Sequence, residues 1–190
     1  MSLGLSGAAP GAAERARARC CSWLEDPPPL LGAWLQRRAV VELARDGSPE
    51  AARLLCRAVL LKQSGAARLP ALAVLAQLET TELTAKVCEV WAETRNPDLA
   101  RLRRDKGWVP EKPTSLHALC LLDSAQPEVL LSEGATMVPD LVTACGDRDP
   151  AISSRAREAL SRLPGPEAVD ALCQIWVERR QPLLLSLIHI

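Results

Sequence analysis

The chain contains part of itself twice. Without a gap, the segment from Leu75 to Leu99 and the segment from Leu160 to Leu184 share Leu75/Leu160, Leu78/Leu163, Glu82/Glu167, Cys88/Cys173, Trp91/Trp176, Glu93/Glu178, Arg95/Arg180, Pro97/Pro182 and Leu99/Leu184. A unit this short cannot bury its apolar face alone, so copies stack, each touching only its neighbours. That requirement sets the architecture before any other feature is read: a solenoid of layered helical units, a form suited to displaying surface rather than enclosing chemistry.

The units are helical because of what fills them. Hydrophobic residues make up 48% of the 190, yet there is no Phe or Tyr, so alanine and leucine must supply the core. Both lose little rotamer freedom in a helix, whereas strands favour the β-branched and aromatic residues that are scarce here. An all-α chain follows, long enough for one elongated domain with a substantial core.

Proline marks where the helices begin. Pro49, Pro97, Pro127, Pro139, Pro150, Pro166 and Pro182 each stand just ahead of an apolar periodic run, the first-turn position where a missing N–H costs nothing and φ is already helical. Ser48, Asn96 and Asp149 precede three of them and can cap the orphan amides. The pattern predicts helices near 13–24, 30–45, 49–62, 68–78, 81–94, 97–105, 114–123, 137–145, 150–163, 166–179 and from 182 onward. Turns this short force consecutive helices to pack as antiparallel neighbours. Asp26-Pro27-Pro28-Pro29 is a stiff interruption, and Gly107-Trp108-Val109-Pro110-Glu111-Lys112-Pro113 an irregular connection whose glycine suits the left-handed end of a helix.

In Leu141 to Leu160 an apolar helix meets an Asp149-Pro150 turn and then a helix with small residues at helical spacing. This resembles a HEAT repeat. Leu163 to Leu172 is similar to the start of the next unit, and Asp46 to Leu55 resembles another. The CxxWxExRxPxL element with the GWVP that follows its first copy resembles uncharacterised bacterial HEAT-like repeat proteins. The resemblance implies a right-handed α-solenoid of antiparallel helix pairs, the armadillo-type superhelix. Ser153 departs from it, standing where many HEAT repeats carry the arginine of their ladder.

On this reading residues 1–12 are a flexible leader, 13–38 N-terminal helices and 39–184 the HEAT-like array. The leader is followed by Arg15, Arg17 and Arg19, the reverse of a secretory signal's charge order; an Ala- and Arg-rich start with Glu14 as its single acid also fits an organelle transit peptide. The correspondence between copies fails after Leu184. Leu185 to Ile190 resembles the in-frame translation of a transposase adaptor end from sequencing libraries, so the natural chain is expected to continue past Leu184. No run is long enough to span a membrane.

Chemical constellations are few. His117 and His189 are the only histidines, which leaves little room for Ser-His-Asp, Cys-His or histidine–metal sites. No carboxylate lies at helical spacing from His117. The seven cysteines, Cys20, Cys21, Cys56, Cys88, Cys120, Cys145 and Cys173, include no CxxC pair and read as small core residues in a reducing compartment, the cytoplasm. No metal or cofactor is expected. Trp91 with Arg95, and Trp176 with Arg180, recur one helical turn apart, where guanidinium can lie over indole; they read as packing anchors of the repeat, with Trp23, Trp34 and Trp108 in similar roles.

The formal net charge is zero, which disfavours a dedicated nucleic-acid binder. Local charge is more telling. If second helices line the concave side, as in HEAT solenoids, they bring Arg37, Arg38, Arg68, Arg101, Arg103, Arg104, Arg155, Arg157 and Arg162 to it, while first helices hold most acids. Of these, Arg37, Arg38, Arg68, Arg101, Arg104 and Arg155 are the candidate partner-binding residues. The function expected is a non-catalytic protein-interaction scaffold, a module of a larger protein that binds an acidic or helical segment. The alternative is an enzyme or enzyme subunit on the same scaffold, since the fold also resembles bilin-lyase subunits and alkylated-base DNA glycosylases, where Trp91 or Trp108 would face a basic groove beside an acid.

Overall fold

The computed structural model describes residues 11–61 and 65–179. Regular structure among them is helical, with no strand: α1 (Ala12–Glu25), α2 (Gly32–Asp46), α3 (Pro49–Leu60), α4 (Gly65–Leu75), α5 (Thr81–Thr94), α6 (Pro97–Lys106), α7 (Thr114–Asp123), α8 (Pro127–Glu133), a 3₁₀ turn (Gly134–Met137), α9 (Val138–Ala144), α10 (Pro150–Arg162) and α11 (Pro166–Arg179). Arg180, Pro182, the repeat beyond them and residues 185–190 lie outside the described residues, as does most of the leader.

The helix starts follow the caps and prolines. The Ser48 hydroxyl accepts from the Ala51 amide at 3.1 Å, the Asn96 Oδ1 from the amides of Asp98 at 2.9 Å and Leu99 at 3.2 Å, and the Asp149 Oδ1 from Ala151 at 2.9 Å. Pro49, Pro97, Pro127, Pro150 and Pro166 are first residues of their helices, and Pro139 is the second of α9. Three expectations shift. α2 starts at Gly32 rather than 30, because residues 27–31 turn under the proline run, with the Leu31 amide on the Pro28 carbonyl at 3.2 Å. α4 begins at Gly65 instead of 68, which leaves Pro70 inside the helix. α8 was marked by Pro127 but not predicted as a helix; it is seven residues long and stops at Gly134, whose φ of 68° is left-handed.

The helices divide into two compact units, residues 1–106 and 107–190, at the irregular connection that Gly107 opens with φ 65°. In the first unit α2 packs on α1, α3 and α4, α3 packs on α4 and α5, and α5 on α6. In the second, α7 packs on α8, α9 and α10, and α11 on α9 and α10. Partners are near neighbours in the chain, but not always consecutive ones: α4 packs on α2 and α3 and α5 on α3, whereas the short turn between α4 and α5 was expected to pair them with each other. The repeat is visible in helix starts: α5 begins at Thr81 and α11 at Pro166, equivalent positions of the two copies.

Buried polar groups tie the second unit together. Ser153 is buried on α10, and its hydroxyl donates to the Cys145 carbonyl, just past the end of α9, at 2.6 Å. The Arg157 Nη2 donates to that hydroxyl at 3.0 Å, and its Nε to the Ser153 carbonyl at 3.1 Å. A serine at this position therefore closes the end of α9 while arginine one turn on supplies the charge. Replacing Ser153 by Ala removes the buried hydroxyl that bonds both the Cys145 carbonyl and the Arg157 guanidinium, so the variant Ser153→Ala is expected to lose about 1–3 kcal/mol in urea unfolding followed by circular dichroism, whereas Ser154→Ala, at an exposed neighbour, stays within about 0.5 kcal/mol of the parent.

Candidate functional site

The six candidate arginines meet different fates. Arg155 is half-buried on α10 and its Nη1 donates to the carbonyls of Leu122 at 2.8 Å and Asp123 at 3.1 Å, closing the C-terminal end of α7. Arg68 on α4 pairs with Asp98, its Nε donating at 3.0 Å. Arg101 and Arg104 are exposed on α6, and Arg101 has Asp105 one turn on at 3.6 Å. Arg37 and Arg38 are exposed on α2. Arg103, read from sequence as part of the same basic face, is instead fully buried.

Arg103 is inside because it covers a tryptophan. Trp91, 2% exposed, lies between two guanidinium groups, Arg95 at 4.8 Å and Arg103 at 4.5 Å from the ring centre. Cation–π attraction gains strength as water is excluded. Arg95 also ends α5 in the left-handed conformation, φ 53°, its amide on the Trp91 carbonyl at 2.7 Å. A residue with a Cβ costs about 1–2 kcal/mol in that conformation; stacking on the indole offsets it. In the second copy Trp176 is half-buried and Arg180 lies outside the described residues.

A second set of stacked rings, which the sequence reading did not assemble, spans α1 and α2. Arg19 lies over Trp23 at 5.2 Å, and Arg38 lies over Trp34 at 5.2 Å and Trp23 at 5.9 Å. Glu42 joins the two helices, accepting from Arg38 Nε at 3.0 Å and Arg19 Nη2 at 3.2 Å. The Arg38 hydrogen bond, followed by those from Arg19 and Cys20, holds the Glu42 carboxyl below its ordinary value against the opposing effect of burial. Trp34, Arg37, Arg38, Val41, Glu42 and Arg45 line an open groove of about 400 Å³ on α2. Arg37 and Arg38 were legible as candidates. Trp34, Val41 and Arg45 were not, although their spacing along one helix face is the signal that finds them.

Elsewhere, His117 does find a carboxylate, brought by α8 rather than by its own helix: Nε2 stands 3.0 Å from Glu133 Oε1 and Nδ1 3.0 Å from the Pro110 carbonyl. It fastens the 107–113 connection to α7 and α8. No group of three or more His, Cys, Asp or Glu able to hold a metal occurs among the described residues, and no described helix is long and apolar enough to cross a membrane. Comparison with protein-family models, curated proteins and solved structures finds no match.

No disulfide joins any of the seven cysteines, and the repeat-equivalent pair is divided: Cys88 is buried, Cys173 exposed. Burial first, then the neighbouring Glu42, pushes the Cys20 thiol up to about 11, and burial pushes Cys56 up to about 12. Both are therefore protonated at pH 8, and the thiolate is the reactive form. Iodoacetamide at pH 8 is expected to modify Cys173 in the folded chain while Cys20, Cys56 and Cys88 react only after unfolding, as mass spectrometry of the digested protein reads directly. For Arg95, loss of stacking and relief of backbone strain separate by substitution: Arg95→Ala loses the stack and keeps the strain, so it should unfold about 1 kcal/mol more easily than Arg95→Gly. Equal stability of the two would deny the strained turn.

Proposed function

We propose that the chain is a non-catalytic protein–protein interaction scaffold, a HEAT-like module arranged as a right-handed α-solenoid of antiparallel helix pairs, which offers arginine-rich helix surface to an acidic or helical segment of a partner protein. The observation that carries the reading is the recurrence of the α5 sequence as α11, with both helices starting at equivalent positions, Thr81 and Pro166, among helices that pack on near neighbours in the chain. Repetition of that kind builds extended surface, which protein partners use. Trp91 supports it further: the ring is buried between two arginines and not set beside an acid in an open groove, which favours packing over a base-binding role. The unbridged cysteines suit a reducing compartment such as the cytoplasm.

Arg101 and Arg104 are the exposed arginines of α6 on which the reading is tested. Polyglutamate is expected to bind at about 0.05 M salt and to be released by about 0.3 M, as screening of exposed charges requires, and the double variant Arg101→Glu/Arg104→Glu should weaken binding about tenfold or more in fluorescence titration. Binding that is insensitive to salt and unchanged in the variant overturns the basic-surface reading.

A further inference from the structure

The outer face of α2 carries a second apolar seam that the core does not use. Leu35, Ala39, Val40 and Leu43 point inward. On the opposite side Leu31, Trp34, Arg38, Val41 and Arg45 follow one another at alternating steps of three and four residues, the a and d spacing of a heptad, which keeps side chains in line along one helix face for about two heptads before drift matters. Leu31, Trp34 and Val41 are among the exposed large apolar residues, Trp34 at 55%, with Leu30 at 97% beside them at the start of the helix. α2 is 15 residues long, so the seam spans roughly 22 Å.

Charge decides what fits it. Arg37, Arg38 and Arg45 flank or interrupt the apolar positions, against a single acid, Glu42, which is already shared between Arg38 and Arg19. Among the described residues no carboxylate pairs with Arg37 or Arg45, and both are exposed. A second copy of this face would set arginine against arginine at the a positions. A lipid surface fits poorly as well: guanidinium groups lie on the Trp23 and Trp34 rings, so those indoles cannot enter the acyl region without carrying charge with them. A helix with leucine-like residues at its own a and d positions and carboxylates beside them meets both halves of the surface, and tryptophan and arginine are the residues that most often dominate such interfaces.

We propose that the solvent face of α2, from Leu31 to Arg45, is a docking seam for an acidic amphipathic helix of a partner protein, with Trp34 and Val41 as apolar anchors and Arg37 and Arg45 as the charge readers. The proposal rests on the interaction-scaffold reading and narrows it to one helix and one partner chemistry. The stacked Arg19, Trp23, Arg38 and Trp34 hold the seam in place before the partner arrives, which lowers the entropy lost on binding.

The test uses a synthetic peptide of about three heptads with leucine at a and d and glutamate at the flanking positions, and a counterpart with lysine in place of glutamate, each titrated against the full chain at low salt. The glutamate peptide is expected to bind and the lysine peptide not; Arg37→Glu/Arg45→Glu should lose the first about tenfold or more and gain the second. Helix content by circular dichroism checks that the variant folds, and Arg37→Gln/Arg45→Gln gives a smaller loss if it does not. The Arg101→Glu/Arg104→Glu variant separates the two proposals. If it abolishes glutamate-peptide binding while the α2 variant retains it, the seam is wrong and the scaffold reading stands. Equal binding of both peptides, or of neither, overturns the seam. So does an Arg37- and Arg45-dependent association with phosphatidylserine vesicles tighter than with the peptide, or a sedimentation dimer that the α2 variant dissolves.

Discussion

Ala39, Ala51, Ala58, Ala67, Ala71, Ala118 and Ala156 are all fully buried, in a chain that owns no phenylalanine or tyrosine. Helices faced with such small side chains exclude water only by approaching closely, and dispersion between their closely set surfaces replaces the large apolar areas that aromatic residues would bring. Protein groups serve many of the backbone groups at the helix ends: the buried Ser153 hydroxyl at the end of α9, the Arg155 guanidinium at the end of α7, and the side-chain caps at the starts of α3, α6 and α10.

The two copies of the repeat differ in burial while α5 and α11 agree in where they start. Cys88 and Trp91 are buried on α5, Cys173 is exposed and Trp176 half-exposed on α11. Residue type does not settle burial; the adjoining helix does. α5 has α6 beside it, and Arg103 on α6 reaches the Trp91 ring.

Helix positions were legible because proline, serine, asparagine and aspartate act locally, within one turn of the backbone they pre-set or cap, and the bounds of α5 and α7 and the start of α11 agree with expectation to the residue. What was not legible depends on distant partners. Arg103 reads as a surface cation until α6 is placed against Trp91, and Arg155 reads as a display residue until α7 ends beside it. Glu133 is sixteen residues from His117, beyond any single-helix pattern. The α2 surface was half visible: Arg37 and Arg38 stood out by charge, but the seam became apparent only once the inward face of the helix was known and the remaining face could be read for a spacing of its own.

Arg95 gives the end of α5 an unusual dependence. Where a glycine stands after a helix, as Gly47 and Gly107 do with φ of 62° and 65°, the chain can turn whether or not anything else has folded. Arginine in that conformation has no such freedom and is held there by the tryptophan one turn back and by the hydrogen bond that the Arg95 amide donates to the Trp91 carbonyl. The stop therefore has two parts: Asn96-Pro97 keeps helix from running on in any context, whereas the left-handed turn at Arg95 that leads the chain into α6 is held by contact with the indole. The local signal fixes where α5 ends, and the tertiary contact fixes which way the chain leaves it, so the direction of the turn and the burial of Trp91 are set together.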